Sequence, residues 1–594
     1  MTTGENDTLE ERNTPVGGIG VKSTTAVSRQ AVIGRYTGIH RITGGSRLLE
    51  DVMRLWLHLA FTAALVATGS FAITTTRAQA PSCFVTTPSG PVQGTDNGPT
   101  CTFQGIPFAS PPLNEFRWKP PQPVSPWTTT LMATTPPSSC PLINPPSTVP
   151  QGNEDCLKLN IWTPDPMPVT PAPVIVWIHT GSFIAASANL AAHNGRLMAE
   201  RSGAIVVAAN YRVGPFGFLA HPALTAENPD YPSSGNYGLL DQRAAMAWVR
   251  GNIAAFGGDP NNVTIGGQSA GSHSVSFHIV SPRSEGYFGK AIMQSSYAST
   301  RWPTRAESEA LGLRFAEALG CTAGDVLGCL RIKTRVEVLQ ALPVGQQQFS
   351  ETARASWSPN VDGFEIPDQP RALYESGQFN RVPVIIGATR DEGWIYAHRS
   401  YPAGLTETEY AAALETEFGS VDTPAILAQY PAAAFASPKH ALSQLIGDVE
   451  LICESRRVAR LISRTLTPVY AYSFAYPVAA VAGTQVIHGM DTNFMFGNNY
   501  GAPTPYTLDA QDRLLSNAIM DYWTRFAGTG NPNGGDAVKW HEFRHPDADG
   551  RAANKYLVLD LPIQDEKRIR EGFCDFWEPF FLRSTLASIP ARAQ

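Results

Sequence analysis

The chain has 594 residues, 43% hydrophobic and 16% charged, with 48 prolines, 51 glycines and a net charge of −6. This composition excludes a disordered or fibrous chain and fits a large globular protein with many loops. No clustered basic excess is present, which excludes nucleic acid as a partner.

Residues 1–52 are polar, rich in glycine and threonine, and lack apolar periodicity. They read as an over-extended start or a disordered tail. Met53 and Arg54 then precede an apolar stretch from Leu55 to Ile73. Arg77-Ala78-Gln79-Ala80 follows, with small residues at the −3 and −1 positions of a cut after Ala80. Residues 53–80 therefore read as a secretory signal peptide, and the protein as secreted. Pro81 is a poor residue after a cut, and cleavage after Ala78 avoids it. The competing reading is an uncleaved type II membrane anchor, because Leu55–Ile73 is just long enough to span a bilayer. Arg35, Arg41, Arg47 and Arg54 would then face the cytoplasm. Only in that case is a membrane a partner.

From residue 81 to 594 one α/β pattern runs without a linker or repeat, as a single domain. Apolar runs at Val174–Ile178, Ala204–Ala208, Val263–Ile265, Ala291–Met293, Val382–Ile386 and Val469–Phe474 read as buried strands of a mostly parallel sheet. Helical patterns such as Leu239–Asn252 lie between them, which implies helices on both faces. Residues 302–357 and 400–465 are richer in helical pattern and are candidates for a cap over the site. After the run Val263–Ile265 comes Gly267-Gln268-Ser269-Ala270-Gly271 and then an apolar helical pattern. Strand, tight turn and helix make G-x-S-x-G a nucleophile elbow. Alone, the motif also fits an ordinary strand-to-helix turn.

The eight cysteines contain no C-x-x-C pair, so neither a metal site nor a cofactor is expected. An even count at wide spacing points to disulfides and an oxidising compartment. The sequons at Asn6 and Asn262 lie before the signal and against a buried strand, so little N-glycosylation is expected.

Further motifs follow in order. They are Glu154-Asp155-Cys156-Leu157-Lys158-Leu159-Asn160-Ile161-Trp162, Asn210-Tyr211-Arg212, Phe256-Gly257-Gly258-Asp259-Pro260, Asp391-Glu392-Gly393, and a late cluster of Trp523, Phe526 and Asn531-Pro532-Asn533. With these motifs, residues 83–580 resemble the type-B carboxylesterase/lipase family of the α/β-hydrolase fold. That family includes cholinesterases, and in character this chain is similar to its secreted fungal carboxylesterases. The resemblance implies a mostly parallel sheet with helices on both faces and a helical cap. It also implies disulfides Cys140–Cys156, Cys321–Cys329 and Cys453–Cys574, which leaves Cys83 and Cys101 for each other. Arg117 with Glu154, and Arg212 with Asp241, match family pairs that form buried salt bridges.

A serine hydroxyl needs a base within reach, and the base needs an orienting acid. The resemblance gives Ser269 as nucleophile, Glu392 as acid and His488 as base, in the chain order of this fold. It gives the backbone N–H groups of Gly181, Ser182 and Ala270 as the oxyanion hole. The implied activity is carboxylic ester hydrolysis through an acyl-enzyme, on a small-molecule or lipid ester. His273 and His278 read as packing, and Asp391 as a supporting or surface carboxylate. Two departures stand out. The run Thr180-Gly181-Ser182 has serine where the family usually has glycine, which narrows the hole or adds a donor. Gln268 stands where cholinesterases carry glutamate, and residues 141–155 hold no aromatic side chain. Both features of the second departure argue against cationic choline esters. Phe183, Tyr297, Trp302 and Trp394 are expected to line the substrate pocket. Competing readings are a non-catalytic binding or adhesion protein on the same fold and an acyltransferase. The sequence does not set the oligomeric state.

Overall fold

Side chains alternate across the central strands, so each strand fills two cores at once. In β4 (Ala172–Ile178), Val174, Val176 and Ile178 enter one core, while Ile175 and Trp177 enter the other. β5 (Ile205–Ala209) and β9 (Val469–Phe474) divide in the same way. This double burial explains why these segments read as continuous apolar runs.

The computed structural model describes residues 82–144, 147–296, 299–342, 357–501, 504–544 and 554–582. The N-terminal tail, the signal or anchor segment and Tyr297 lie outside the described residues. Among the described residues no helix is long and apolar enough to cross a membrane.

The main sheet has eleven strands. In chain order β1 is Thr95–Asp96, β2 Thr100–Pro107 and β3 Lys158–Pro164, followed by β4 and β5. β6 is Gly258–Gln268, β7 Lys290–Gln294 and β8 Val384–Thr389, followed by β9; β10 is Lys555–Leu559 and β11 Gln564–Lys567. Their spatial order is β11-β10-β9-β8-β7-β6-β4-β5-β3-β2-β1. From β10 across to β5 all neighbours are parallel. The outer pairs are antiparallel. Both edge strands are exposed along their whole length: β1 is only two residues long, and β11 reads Gln-Asp-Glu-Lys.

One face of the sheet packs against α1 (Tyr237–Asn252), α2 (Ala270–Val280) and α5 (Cys453–Ser463). The other packs against α6 (Met490–Phe496) and α7 (Ala510–Thr529). The segment 302–342 supplies helices Arg305–Ala318, Val326–Arg331 and Arg335–Gln340. The segment 400–465 ends in a helix that packs into the core. Its last helix, α5, contributes Val458, Ala459 and Ile462 to the core beneath the sheet. Ser455 Oγ there donates to the Ser296 carbonyl at 3.0 Å.

One buried and one part-buried ion pair hold loops to this frame. Arg212, just beyond β5, meets Asp241 of α1 at 2.7 and 2.8 Å. Arg117 meets Glu154 at 2.6 and 2.8 Å. The cysteines form Cys83–Cys101, Cys140–Cys156, Cys321–Cys329 and Cys453–Cys574, the set the resemblance implied. The last of these joins α5 to the closing helix α8 (Glu571–Leu582).

Candidate active site

β6 ends at Gln268, and α2 begins at Ala270. The single residue between them is Ser269, buried, at φ 55° and ψ −125°. A non-glycine residue in this region costs roughly 1–3 kcal/mol, which the surroundings must offset. They do so by close packing of backbone. A Cβ on Gly271 would lie 2.1 Å from the Ile178 carbonyl oxygen of β4, and one on Gly267 would lie 2.3 Å from the Gly271 carbonyl carbon. The two glycines of the motif are thus demanded by the approach of helix to strand. The Ser269 N–H donates to the Gln294 carbonyl at the end of β7 (2.9 Å). Ala270 is the first residue of α2, so its N–H has no partner within the helix.

Across from the elbow, the chain leaves β4 through His179-Thr180-Gly181-Ser182-Phe183. Gly181 has φ 116°, and a Cβ there would lie 2.2 Å from the Ala185 carbonyl oxygen. Its own carbonyl accepts from the N–H groups of Ile184 (3.0 Å) and Ala185 (2.9 Å). Ser182 and Phe183 are also left-handed, at φ 52° and 62°. The loop is anchored at its base, where His179 stacks on Tyr211 at 4.1 Å and Tyr211 Oη donates to the His179 carbonyl (3.0 Å). Burial pushes His179 down to about 4, so it is neutral. Its Nδ1–H donates to the Thr180 carbonyl at 2.7 Å.

Glu392 lies in the turn after β8 and is fully buried. Its Oε1 accepts from the Thr389 N–H (2.7 Å) and from Ser295 Oγ (2.6 Å). Its Oε2 accepts from His488 Nδ1 at 2.5 Å. His488 sits on the loop between β9 and α6. Asp391 holds that loop: its carboxylate accepts from the Val486 N–H (2.8 Å), and its own N–H donates to the Val486 carbonyl (3.0 Å). Ser269, Glu392 and His488 therefore all stand past the C-terminal ends of parallel strands, where an open α/β sheet gathers its site.

Sequence reasoning missed several contacts here. Ser295, after β7, gives no signal in the sequence, yet it fixes the Glu392 carboxylate. The Tyr396 ring lies 5.7 Å from that of His488. Nothing in the sequence around Tyr396 signals this contact. Gln268 Nε2 lies 3.0 Å from His488 Nε2. Asp491, the second residue of α6, accepts from Tyr472 Oη at 2.5 Å, and burial pushes its carboxyl up to about 7.

Trp302 packs against Phe183 (6.0 Å), His273 (6.0 Å) and Phe277 (4.7 Å), and all four are buried. Its backbone is clamped by Gln369, which accepts from its N–H and donates to its carbonyl. His273 is pushed well below its ordinary range by burial. It belongs to this aromatic cluster. Trp394 does not join the group. It opens α3 (Trp394–Ser400) and meets His440 of α4 (Pro438–Gly447) at 4.9 Å, with Lys439 Nζ 5.5 Å from its ring centroid.

Parallel strands covered on both faces, with a strained serine elbow opposite a glutamate–histidine pair, define the class as the α/β-hydrolases. Residues 81–577 match the carboxylesterase family. The chain is 32% identical over 544 residues to a cholinesterase of Mus musculus, covering 84% of this chain and 86% of that one. It is 32% identical over 541 residues to an acetylcholinesterase of Bungarus fasciatus, with the same coverage. The chain belongs to the carboxylesterase family and is a carboxylic ester hydrolase.

Proposed function

We propose that the protein is a secreted serine carboxylesterase working through Ser269, His488 and Glu392. The observation that carries the reading is the His488–Glu392 hydrogen bond at 2.5 Å beside the elbow. A buried carboxylate is an acceptor only, so it keeps the proton on Nδ1 and leaves the Nε2 lone pair as the base. His488 takes the Ser269 proton as the hydroxyl attacks the ester carbonyl. Glu392 stabilises the imidazolium that forms. His488 then protonates the leaving alcohol, and water later releases the acid from the acyl-enzyme. The N–H groups of Gly181, Ser182 and Ala270 receive the developing oxyanion, where losing one donor costs roughly 2.7–4 kcal/mol.

The Phe183–Trp302–Phe277 cluster favours apolar acyl or aryl esters. Gln268 and the lack of aromatic side chains in 141–155 argue against choline esters, whatever the names of the relatives. Four disulfides support an oxidising, extracellular location. The test is hydrolysis of p-nitrophenyl esters from acetate to palmitate by the wild type and by Ser269→Ala. Activity should fall by roughly 10^5–10^6-fold in the variant. Equal activity in both would overturn the reading. Labelling of the wild type by an organophosphonate separates it from a non-catalytic binding protein, which should stay unlabelled.

A further inference from the structure

β8 and β9 end side by side, with Ile386 opposite Ala471 and Ala388 opposite Ser473. Ala459 of α5 lies over this face of the sheet. Small side chains on both layers leave a gap that the larger neighbours do not fill. The gap is a cavity of about 50 Å3. One water needs roughly 10–15 Å3 on the same measure, so a molecule of several heavy atoms has room. The walls are mostly apolar, and no acidic side chain lines them. No member of the Ser269, Glu392 and His488 set lines them either.

Two arginines of the lining keep a donor in hand. Arg456 of α5 is 4% exposed. Its Nη2 donates to Asp575 at 2.5 Å and its Nη1 to the Glu571 carbonyl at 3.3 Å, while its buried Nε has no hydrogen-bond partner among the described residues. Arg570, just before α8, gives Nε (3.0 Å) and Nη2 to Asp448, which leaves Nη1 without a hydrogen bond among the described residues. Its backbone is left-handed at φ 56°, a conformation that a non-glycine residue keeps only where its surroundings hold it. Arg390 also lines the cavity but is spent on Asp391 (2.8 Å) and the Thr484 carbonyl (2.6 Å). Ser473, the one residue of β9 that is not fully buried, adds a hydroxyl.

We propose that this cavity is a second site, apart from the active site, for a small carboxylate of roughly two to four carbons. An unpaired guanidinium N–H beside apolar walls is costly, and an anion that accepts from it offsets that cost. A carboxylate offers two acceptor oxygens, one for each arginine, in charge-assisted bonds. The apolar walls then take the short alkyl tail. A neutral molecule of the same shape gains the tail contacts but not the charge. Short carboxylates are also what an ester hydrolase releases from short-chain esters, so the ligand forms wherever the enzyme works on them.

Binding of sodium butyrate at pH 7 is followed by saturation-transfer NMR on wild type, Arg456→Gln and Ala459→Leu. Occupancy of the active site is read separately, as competitive inhibition of p-nitrophenyl acetate hydrolysis by butyrate. Arg456→Gln removes one donor, and the Asp575 it leaves behind is 55% exposed and so readily solvated. Ala459→Leu fills the gap instead, which guards against a glutamine variant that fails to fold. Both variants should weaken butyrate binding at the cavity by roughly tenfold or more. Both should hydrolyse p-nitrophenyl acetate, and be competitively inhibited, as the wild type is. Neutral butyramide should bind the wild type at least about tenfold more weakly than butyrate. Butyrate binding that is unchanged in folded variants would overturn the proposal, because the carboxylate then sits elsewhere. Butyramide or chloride binding as tightly as butyrate would overturn it as well. The site does not depend on which residue is the nucleophile: full activity in Ser269→Ala would defeat the triad and leave this cavity standing.

Discussion

Ser182 illustrates how one side chain can strain a site without removing its donors. Its φ of 52° costs about 1–2 kcal/mol relative to ordinary backbone. A glycine there avoids that cost but loses roughly 0.5–1 kcal/mol through the unfolded chain. Ser182→Gly should therefore be neutral to slightly stabilising in thermal unfolding, and should retain or broaden activity on bulkier acyl groups. A hundredfold gain would mean that the serine cripples the hole. Asp491 makes a pH-dependent prediction. Its folded pKa of about 7 lies above the ordinary aspartate value, so the folded protein keeps a proton that the unfolded chain has shed. Stability is consequently lost as pH rises through that window and stays low above pH 7. Asp491→Asn mimics the protonated form and still accepts from Tyr472. Relative to wild type it should gain nothing near pH 4 and roughly 2–4 kcal/mol at pH 8. Denaturant titration at both pH values measures this, and a gain that is largest in acid would contradict it.

The elbow is the element whose geometry tolerates least. A methyl group on Gly271 has no room against Ile178, and the obstacle is backbone rather than a flexible side chain. Gly271→Ala should abolish activity and cost roughly 3 kcal/mol or more, since β4 and α2 must separate to admit it. Chemical unfolding and active-site titration would detect this together. Elements of this kind were legible in the sequence because burial on both faces leaves an unbroken apolar run. Val469–Phe474 was read with its true bounds. The strand around Val263–Ile265 was found only in part, because β6 begins with Gly258-Asp-Pro-Asn-Asn, which has no apolar pattern. The antiparallel strands β2 and β3 mix polar and apolar residues, and β11 is wholly polar, so periodicity passed over them. The triad candidates were legible through motif and chain order. The Gln268–His488 contact was not, because it joins residues 220 apart and depends on where two loops meet. The packing of Trp394 on His440 was likewise not legible, because it joins two helices distant in the chain.

At the scale of the molecule, the disulfides differ in how much chain they restrain. Cys321–Cys329 spans 8 residues, whereas Cys453–Cys574 spans 121 and fastens α8 to α5. In the chain-entropy view the long link contributes about 5 kcal/mol and the short one about 2.5 kcal/mol. Trp577 and Phe580 of α8 lie in the core below the sheet, and Arg457 meets Glu578 at 3.3 Å. Replacing both Cys453 and Cys574 by serine should therefore lower the urea midpoint more than replacing Cys321 and Cys329. The reverse order would show that the closing helix holds by packing alone. The two ends of the sheet have a different consequence. An open sheet leaves a row of unpaired backbone groups at each margin, and such a row can template a strand from another chain. Here one margin is two residues long, too short to template, and the other carries Asp565, Glu566 and Lys567, which a recruited strand would have to crowd or cover. Crowded together at high concentration, molecules built this way resist edge-to-edge aggregation.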